Sequence, residues 1–252
     1  MTLAGRHALV TGGGRGIGRA AAAALATAGA RVTVIGRSET PLREAVDAGA
    51  AAGYGIADVT DAGAVARAVA AAEAARGPIA ILVNNAGAVE SGPFGKTDPA
   101  VFRAILDVHL MGAVHTTRAV LPAMVAVGFG RIVNVASTAA LRGYPYVTAY
   151  CAAKHALLGL TRALAAEIAT SGITVNAVCP GYTDTELVRD SIARVAAKTG
   201  RAQNDVLAEY AKDTPIGRLI QPQEVAAAIV YLCAPEAAAV TGTALAIAGG
   251  EL

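Results

Sequence analysis

Short, nearly continuous apolar runs alternate with longer Ala-rich amphipathic segments along the whole chain. Continuous apolar runs of this length are typical of strands buried on both faces of a parallel sheet. They lie at His7–Val10, Arg31–Ile35, Gly53–Ala57, Ile79–Val83, Arg131–Ala136 and Ile173–Val178. Because helical patterns separate them, the sequence predicts one α/β domain over residues 1–252, a doubly wound parallel sheet of about seven strands in a Rossmann-like arrangement.

The segments between these strands are predicted to be helices. One covers about Pro41–Gly49, and a long one covers about Pro99–Val127, where Pro122 is expected to interrupt it near its end. A further helix carries Tyr150 and is expected to end near Thr170.

Polar or Gly-rich segments follow the ends of the predicted strands. They are Gly12–Gly18, Gly36–Arg37, Asp58, Asn84–Gly87, Ser137 and Pro180–Gly181. The carboxyl ends of parallel strands meet at one edge of a sheet, and ligands bind there. We therefore expect these segments to share one binding edge.

The first of these segments is a Gly-rich turn between a strand and a helix. Its glycines let the backbone approach a pyrophosphate, and the N-terminus of the helix offers free N–H groups. The spacing Gly12-x-x-x-Gly16-x-Gly18 differs from G-x-G-x-x-G, and no Gly-Lys-Ser/Thr follows, which excludes a nucleotide-triphosphate loop. A dinucleotide site is favoured over a plain tight turn.

The end of the second strand indicates which dinucleotide is bound. An acidic residue at this position would hold a ribose 2′-hydroxyl, whereas Arg can take a 2′-phosphate. Here the chain has Gly36 and Arg37, with Arg15 in the neighbouring turn and no carboxylate. The sequence therefore predicts NADP(H) over NAD(H), and a solvated Arg37 is the alternative.

Ser137, Tyr150 and Lys154 are candidates for proton transfer to a carbonyl oxygen. Tyr150 and Lys154 are four residues apart in a predicted helix, so they share one face. A phenol has a pKa of about 10, and a neighbouring cation is expected to lower it. Ser137 could hold the substrate oxygen. The set predicts interconversion of a ketone and an alcohol, although Tyr150 and Lys154 alone would also fit an ordinary surface helix.

Composition limits the other possibilities. Hydrophobic residues make up 54% of the chain and charged residues 16%, which predicts a large core. The net charge of +2 is too small to indicate nucleic acid or an anionic membrane as a partner. The three Cys and four His form no metal-ligand pattern, so no metal is expected. Reduced thiols and the absence of room for a signal peptide before the first strand predict a cytoplasmic protein.

Taken together, the motifs resemble those of the short-chain dehydrogenases/reductases over essentially the whole chain. In that family's order they are Thr11-Gly-x-x-x-Gly-Ile-Gly18, Asp58, Asn84-Asn-Ala-Gly87, Ser137, Tyr150-x-x-x-Lys154 and Pro180-Gly181. The resemblance implies that Tyr150 is the general acid/base, that Ser137 orients the substrate oxygen, and that Lys154 binds the nicotinamide ribose and lowers the Tyr150 pKa. It also implies a homotetramer. The implied cofactor contacts are Gly12, Arg15, Gly16, Ile17, Gly18, Arg37, Asp58, Val59, Asn85, Ala86, Gly87, Tyr150, Lys154, Pro180, Gly181, Thr183 and Thr185.

The chain departs from the family pattern at two places. The family usually has an Asn where this chain has His109, which either packs in its place or takes part in proton transfer. Near the C-terminus, Ala246–Gly250 has Ala at a usual Asp, in a region of subunit contact.

The segment of residues 183–214 stands where the family has its substrate lid. Residues expected to line the substrate are Thr138, Tyr144, Tyr182 and Leu187. Their mainly apolar surroundings favour an uncharged alicyclic or aryl ketone, or the matching secondary alcohol. The alternatives are a reductase of 3-oxoacyl-carrier protein or a 3-hydroxyacyl-CoA dehydrogenase, and a non-catalytic NADP(H)-binding regulator. Few basic residues flank the site to steer an acidic carrier protein, whereas a CoA thioester is left open.

Overall fold

The computed structural model describes residues 2–212 and 214–252, apart from the side chain of Lys198. Within them, seven parallel strands form one sheet in the order β3-β2-β1-β4-β5-β6-β7. The strands are β1 (His7–Thr11), β2 (Arg31–Gly36), β3 (Gly53–Ile56), β4 (Ile79–Asn84), β5 (Gly130–Val135), β6 (Ile173–Pro180) and β7 (Ala244–Ile247).

Helices connect successive strands and cover both faces of the sheet. They are α1 (Gly16–Thr27), α2 (Glu39–Asp47), α3 (Ala62–Arg76), α4 (Pro99–Leu106), α5 (Gly112–Val127), α6 (Thr148–Glu167), α7 (Glu186–Thr199), α8 (Gln203–Lys212) and α9 (Pro222–Cys233). A π-helical turn, Asp107–Met111, joins α4 to α5, and 3₁₀ turns cover Phe94–Lys96, Thr138–Ala140 and Pro235–Ala237.

Two apolar clusters, one on each face of the sheet, form the core. Neighbouring residues of a strand point to opposite faces. Accordingly, Val10 packs with Leu25 of α1 and Ile229 of α9, whereas Leu9 packs with Val69 and Val120 on the other side. Because both faces are covered, the predicted doubly wound parallel sheet is confirmed.

The predicted interruption of the long helix at Pro122 is wrong. Pro122 lies inside α5, which continues to Val127. Val120 and Met124, on either side of the proline, are buried in the core, and this packing offsets a cost of about 3 kcal/mol for proline in a helix. The irregularity instead lies at the π-helical turn, earlier in the helix.

The helical run Pro99–Val127 is also long and apolar enough to cross a membrane by length and composition alone. Its inner face belongs to the core: Val120 packs with Ile132 of β5, and Thr116 donates a hydrogen bond of 2.6 Å to Asn84 of β4. Core helices of α/β domains have the same length and composition.

The predicted lid, residues 183–214, contains α7 and α8; its residue Asp213 lies outside the described part of the chain. Ile192, Ala196 and Val206 form a small apolar cluster between the two helices, separate from the core of the sheet. That a lid closes over substrate stays a prediction.

Candidate active site

A cavity of about 410 Å³ lies at the carboxyl ends of the central strands. It brings together most of the site residues predicted from the sequence. They are Gly12, Arg15, Gly16, Ile17, Asn85, Ala86, Gly87, His109, Ser137, Tyr150, Lys154, Pro180, Gly181, Thr183, Thr185 and Leu187. The expectation of one shared edge therefore agrees with the placement of these residues.

Seven predicted residues do not line this cavity: Gly18, Arg37, Asp58, Val59, Thr138, Tyr144 and Tyr182. A Cβ added at Gly18 would lie 2.3 Å from the Gly12 carbonyl oxygen, so this glycine serves close packing of α1 on the turn. Val59 packs against Gly112 at the start of α5, and Thr138 is buried.

The Gly-rich turn is fixed to the end of β4 by hydrogen bonds. The hydroxyl oxygen of Thr11 accepts from the backbone N–H groups of Asn85 and Ala86, each at 2.9 Å, and the Asn85 side chain donates to the Thr11 carbonyl at 2.9 Å. α1 then begins at Gly16 with no side-chain cap and no acidic residue in its first turn. This donor set fits an anionic pyrophosphate, which free N–H groups at a helix N-terminus would hold.

A buried polar network fixes to the sheet the half of the cavity that contains Tyr150. The Asn84 amide of β4 donates to the Asn134 side chain of β5 at 2.9 Å, and Asn134 donates to Thr161 of α6 at 2.8 Å. Thr116 of α5 donates to Asn84. The network therefore ties α5 and α6, which carry the residues around Tyr150, to two neighbouring strands.

Ser137 and Tyr150 line the same cavity, with the Ser137 hydroxyl close enough to act on the phenol. Ser137 follows β5, and its hydroxyl oxygen also accepts from the backbone N–H of Ala139 at 3.1 Å, which fixes the side chain at the start of the 3₁₀ turn. Burial raises the pKa of Tyr150 to about 12, and the hydrogen bond from Ser137 partly offsets this shift. Tyr150 is therefore a neutral phenol at neutral pH, able to donate a proton.

The expected lowering of the Tyr150 pKa by Lys154 is not found in this structure. Lys154 is only 4% exposed, and its ammonium group donates to the Val135 carbonyl at 2.7 Å and lies 5.5 Å from the centre of the Tyr150 ring. Burial lowers the pKa of Lys154 itself to about 7. The cost of desolvating each group sets the direction of both shifts.

His109 lies in the π-helical turn with its ring edge-on to Tyr150, at 5.3 Å between ring centres. Its Nε2 is 2.7 Å from the carbonyl oxygen of Ala88, whereas Nδ1 is buried without a hydrogen-bond partner among the described residues. A Cβ on Gly87 would lie 2.5 Å from the ring, so only glycine leaves room for His109. Burial, with a contribution from the Lys154 charge, lowers the pKa of His109 to about 3.

We expect the substitution His109→Asn to leave the pH dependence of kcat unchanged in shape, because a histidine with a pKa of about 3 stays neutral throughout the working range. The measurement is kcat from pH 5 to 10 for both proteins. Loss of an ionisation between pH 6 and 8 in the variant would assign His109 to proton transfer instead.

The outer end of the site carries the predicted determinants of cofactor choice. Arg37 is exposed at the end of β2, and its positive charge helps to lower the pKa of Asp58, after the larger effect of the hydrogen bond from the Thr60 backbone. Arg15 forms an ion pair of 2.8 Å with Glu186 of α7. Both partners are exposed, so this pair adds little stability, but it links the Gly-rich turn to α7 of the predicted lid.

Sequence reasoning missed several residues around the cavity. Glu186 and Asp190 of α7 line it, as do Val135 and Ala136 at the end of β5. Glu251 lies behind the predicted substrate residue Tyr144, which donates a hydrogen bond to its carboxylate. No local pattern marks these residues, since each depends on contacts between distant parts of the chain.

No group of three or more His, Cys, Asp or Glu side chains able to hold a metal ion occurs within the described residues. The three cysteines are buried and unpaired.

Comparison with known proteins places this site in context. A family model described as short chain dehydrogenase matches residues 6–196. The chain is 41% identical to galactitol 2-dehydrogenase (L-tagatose-forming) of Cereibacter sphaeroides, over 98% of this chain and 95% of that protein. It is 37% identical to acetoacetyl-CoA reductase of Shinella zoogloeoides, over 98% of both chains.

Solved structures also match over the whole chain. A crystal structure of a variant of actinorhodin polyketide ketoreductase with NADPH superposes with a TM-score of 0.94 at 36% sequence identity, covering 98% of this chain and 97% of that one.

Proposed function

The chain belongs to the short-chain dehydrogenase family of NAD(P)-dependent oxidoreductases, and on that premise we propose that it interconverts an uncharged ketone and its secondary alcohol with NADP(H). The similarity to acetoacetyl-CoA reductase, galactitol 2-dehydrogenase and actinorhodin polyketide ketoreductase supports an oxidoreductase that acts on ketones. The observation that carries the proposal is the convergence of Ser137, Tyr150 and Lys154 with the Gly-rich turn in one cavity.

In the proposed mechanism Ser137 and Tyr150 hold the carbonyl oxygen by hydrogen bonds. The nicotinamide, when bound, supplies the hydride to the carbonyl carbon. As negative charge develops on the oxygen, the phenol of Tyr150 donates its proton to it, and the hydroxyl of Ser137 stabilises the same charge. The positive charge of Lys154, 5.5 Å from the centre of the ring, favours the phenolate that is left behind. A proton from solvent then restores the phenol. The reverse sequence oxidises the alcohol.

The cofactor would lie along the cavity from the Gly-rich turn to Lys154. The free N–H groups at the start of α1 would hold its pyrophosphate, and Lys154 its ribose hydroxyls. Further out, Arg37 would pair with a 2′-phosphate. The structural neighbour with NADPH supports this choice.

We expect Arg37→Ala to raise KM for NADPH about 10- to 100-fold, because it removes a charge-assisted hydrogen bond to phosphate. KM for NADH should change little, since that cofactor has no 2′-phosphate. Arg43→Ala, which removes an exposed arginine from α2, is the matched control. A wild-type enzyme that already prefers NADH would contradict the assignment.

For the substrate we propose an alicyclic or aryl ketone. The support is an aromatic group next in sequence to Gly181 of the cavity, where Tyr182 lies 6.3 Å from Tyr144 and 4.5 Å from Tyr210 between ring centres. Exposed Leu187, which lines the cavity, adds an apolar surface. A 3-oxoacyl-CoA is the second candidate, favoured by the similarity to acetoacetyl-CoA reductase. A carrier-protein thioester is a weaker alternative.

We also propose a cytoplasmic homotetramer. The three unpaired cysteines support a reducing compartment. Exposed Val125 and Val127 at the end of α5 support a subunit contact on that helix.

The decisive experiment follows nicotinamide absorbance with each cofactor against cyclic and aryl ketones, acetoacetyl-CoA and the matching alcohols. We expect fastest NADPH oxidation with a cyclic or aryl ketone. Fastest turnover of the thioester would favour the second candidate. Tight NADPH binding without turnover of any compound would indicate a regulatory protein.

A further inference from the structure

The residue next to the C-terminus is buried beside the active site. After β7 the chain turns at Gly249 and Gly250, whose φ angles are +59° and +88°. A Cβ at Gly249 would lie 2.6 Å from Ile216, so glycine is needed for both the turn and the close packing. The turn directs Glu251 inward, and its side chain is only 1% exposed.

The carboxylate of Glu251 is held by two residues of the loop that follows Ser137. The Tyr144 hydroxyl donates to its Oε1, and the Arg142 guanidinium lies 3.3 Å from the same oxygen. Arg142 also lies over the Tyr144 ring, at 4.6 Å from its centre. One loop therefore contributes both a hydrogen bond and an opposite charge to a residue more than a hundred positions away.

The charge of Glu251 also fixes the direction of the hydrogen bonds in this loop. A carboxylate only accepts, so the single hydroxyl proton of Tyr144 points to Glu251. The Tyr144 oxygen lies 2.8 Å from the hydroxyl oxygen of Thr138, which must then donate to it. Thr138 directly follows Ser137, so the chain of hydrogen bonds ends beside the group that would hold the substrate oxygen.

A second contact reaches the wall of the cavity itself. The other carboxylate oxygen, Oε2, is buried without a hydrogen-bond partner among the described residues. A Cβ on Gly181 would lie 2.8 Å from this oxygen, and Gly181, which precedes Tyr182 in the sequence, lines the cavity. Glu251 thus touches both segments that would face the substrate, the loop of residues 138–146 and the turn after β6.

We propose that Glu251 is a positioning residue that fixes the substrate side of the active site through Tyr144, Thr138 and Gly181. The inference rests on the proposed reduction of a ketone by this site. It assigns to the C-terminal segment a role in substrate binding and none in proton transfer.

The test compares Glu251→Ala and Glu251→Gln with Leu252→Ala, a control at the neighbouring exposed residue. We expect Glu251→Ala to raise KM for the ketone about tenfold while kcat and KM for NADPH stay within about threefold, the pattern of lost substrate binding. Glu251→Gln keeps an acceptor for the Tyr144 hydroxyl, so its KM for the ketone should lie between those of the alanine variant and wild type. Leu252→Ala should behave as wild type.

Two further measurements separate positioning from general stability. Tyr144→Phe should raise KM for the ketone similarly and should add little to Glu251→Ala in the double variant. Tyr231→Phe, at an exposed tyrosine of α9, is the control. Hydrogen exchange of residues 138–146 should speed up in Glu251→Ala, while residues 12–18 exchange as in wild type.

The inference would be overturned if Glu251→Ala left KM for the ketone unchanged. It would also be overturned if the variant raised KM for the ketone and for NADPH equally and exchanged hydrogen faster in both residues 138–146 and residues 12–18. Should wild type reduce no ketone, the proposed function fails. The hydrogen-exchange comparison still decides whether Glu251 fixes the loop: equal exchange in both proteins would refute it.

Discussion

Substitution of Tyr150 by Phe is expected to lower kcat for ketone reduction about 10²- to 10⁴-fold, the range that general acid–base catalysis contributes. The variant keeps the ring that packs edge-on against His109 but lacks the proton that reaches the carbonyl oxygen. Burial raises the pKa of the Tyr150 hydroxyl to about 12, so the wild-type phenol carries its proton at all working pH values. Ser137 alone can hold the oxygen but has no path to replace the proton.

The measurement is single-turnover oxidation of NADPH by both proteins, with NADPH affinity determined separately by fluorescence. Affinity should stay within a few-fold of wild type, because the hydroxyl makes few of the contacts in the long cavity. Tyr231→Phe, at an exposed position of α9, is the control for loss of a phenol. Equal rates for wild type and Tyr150→Phe would remove Tyr150 from the chemistry.

Replacement of Lys154 by Met is expected to produce an inactive but more stable protein. Activity should fall at least about 10²-fold, because the charge that favours the phenolate is lost. The free energy of unfolding at pH 7 should rise by about 1–3 kcal/mol, because an apolar side chain replaces a cation that is 4% exposed. Loss of the hydrogen bond to the Val135 carbonyl opposes this gain and keeps it below the full cost of the buried charge.

The contribution of Lys154 to the free energy of unfolding depends on pH. Burial lowers the pKa of Lys154 from 10.5 to about 7, so between these values the unfolded chain binds more protons than the native protein. Wild-type stability due to this group therefore rises with pH in that window, by up to about 1.4 kcal/mol per pH unit.

The advantage of Lys154→Met should consequently be largest at and below pH 7 and shrink towards pH 10. Urea unfolding of both proteins from pH 6 to 10 measures it. A constant difference over this range would mean that Lys154 is not desolvated in the native protein.

Six of the seven strands could be placed from the sequence to within about two residues, because strands buried on both faces are largely apolar. The seventh, β7, was not placed. The ends of the other six in turn placed Gly12, Ser137 and Gly181 on one edge, since parallel strands share their direction. The spacing of Tyr150 and Lys154 fixed their common helix face for the same local reason.

Features that depend on distant contacts could not be predicted in this way. Pro122 led us to predict a break because proline has a low helix propensity, whereas burial of its neighbours keeps the helix continuous. The expected effect of Lys154 on Tyr150 considered charge but not the desolvation of both groups. No sequence pattern predicted the buried position of Glu251. Its partner Tyr144 is 107 positions away in the sequence, and a charged residue near a chain end usually lies in solvent.

The position of β1 has a consequence for biosynthesis. This strand lies between β2 and β4, and the register pairs His7 with both Arg31 and Ile79. A nascent chain that has left the ribosome only as far as α3 thus exposes an apolar strand edge that its own residues cannot yet cover. Such chains are prone to associate with one another until β4 arrives, and slow translation before residue 84 should increase their dependence on chaperones.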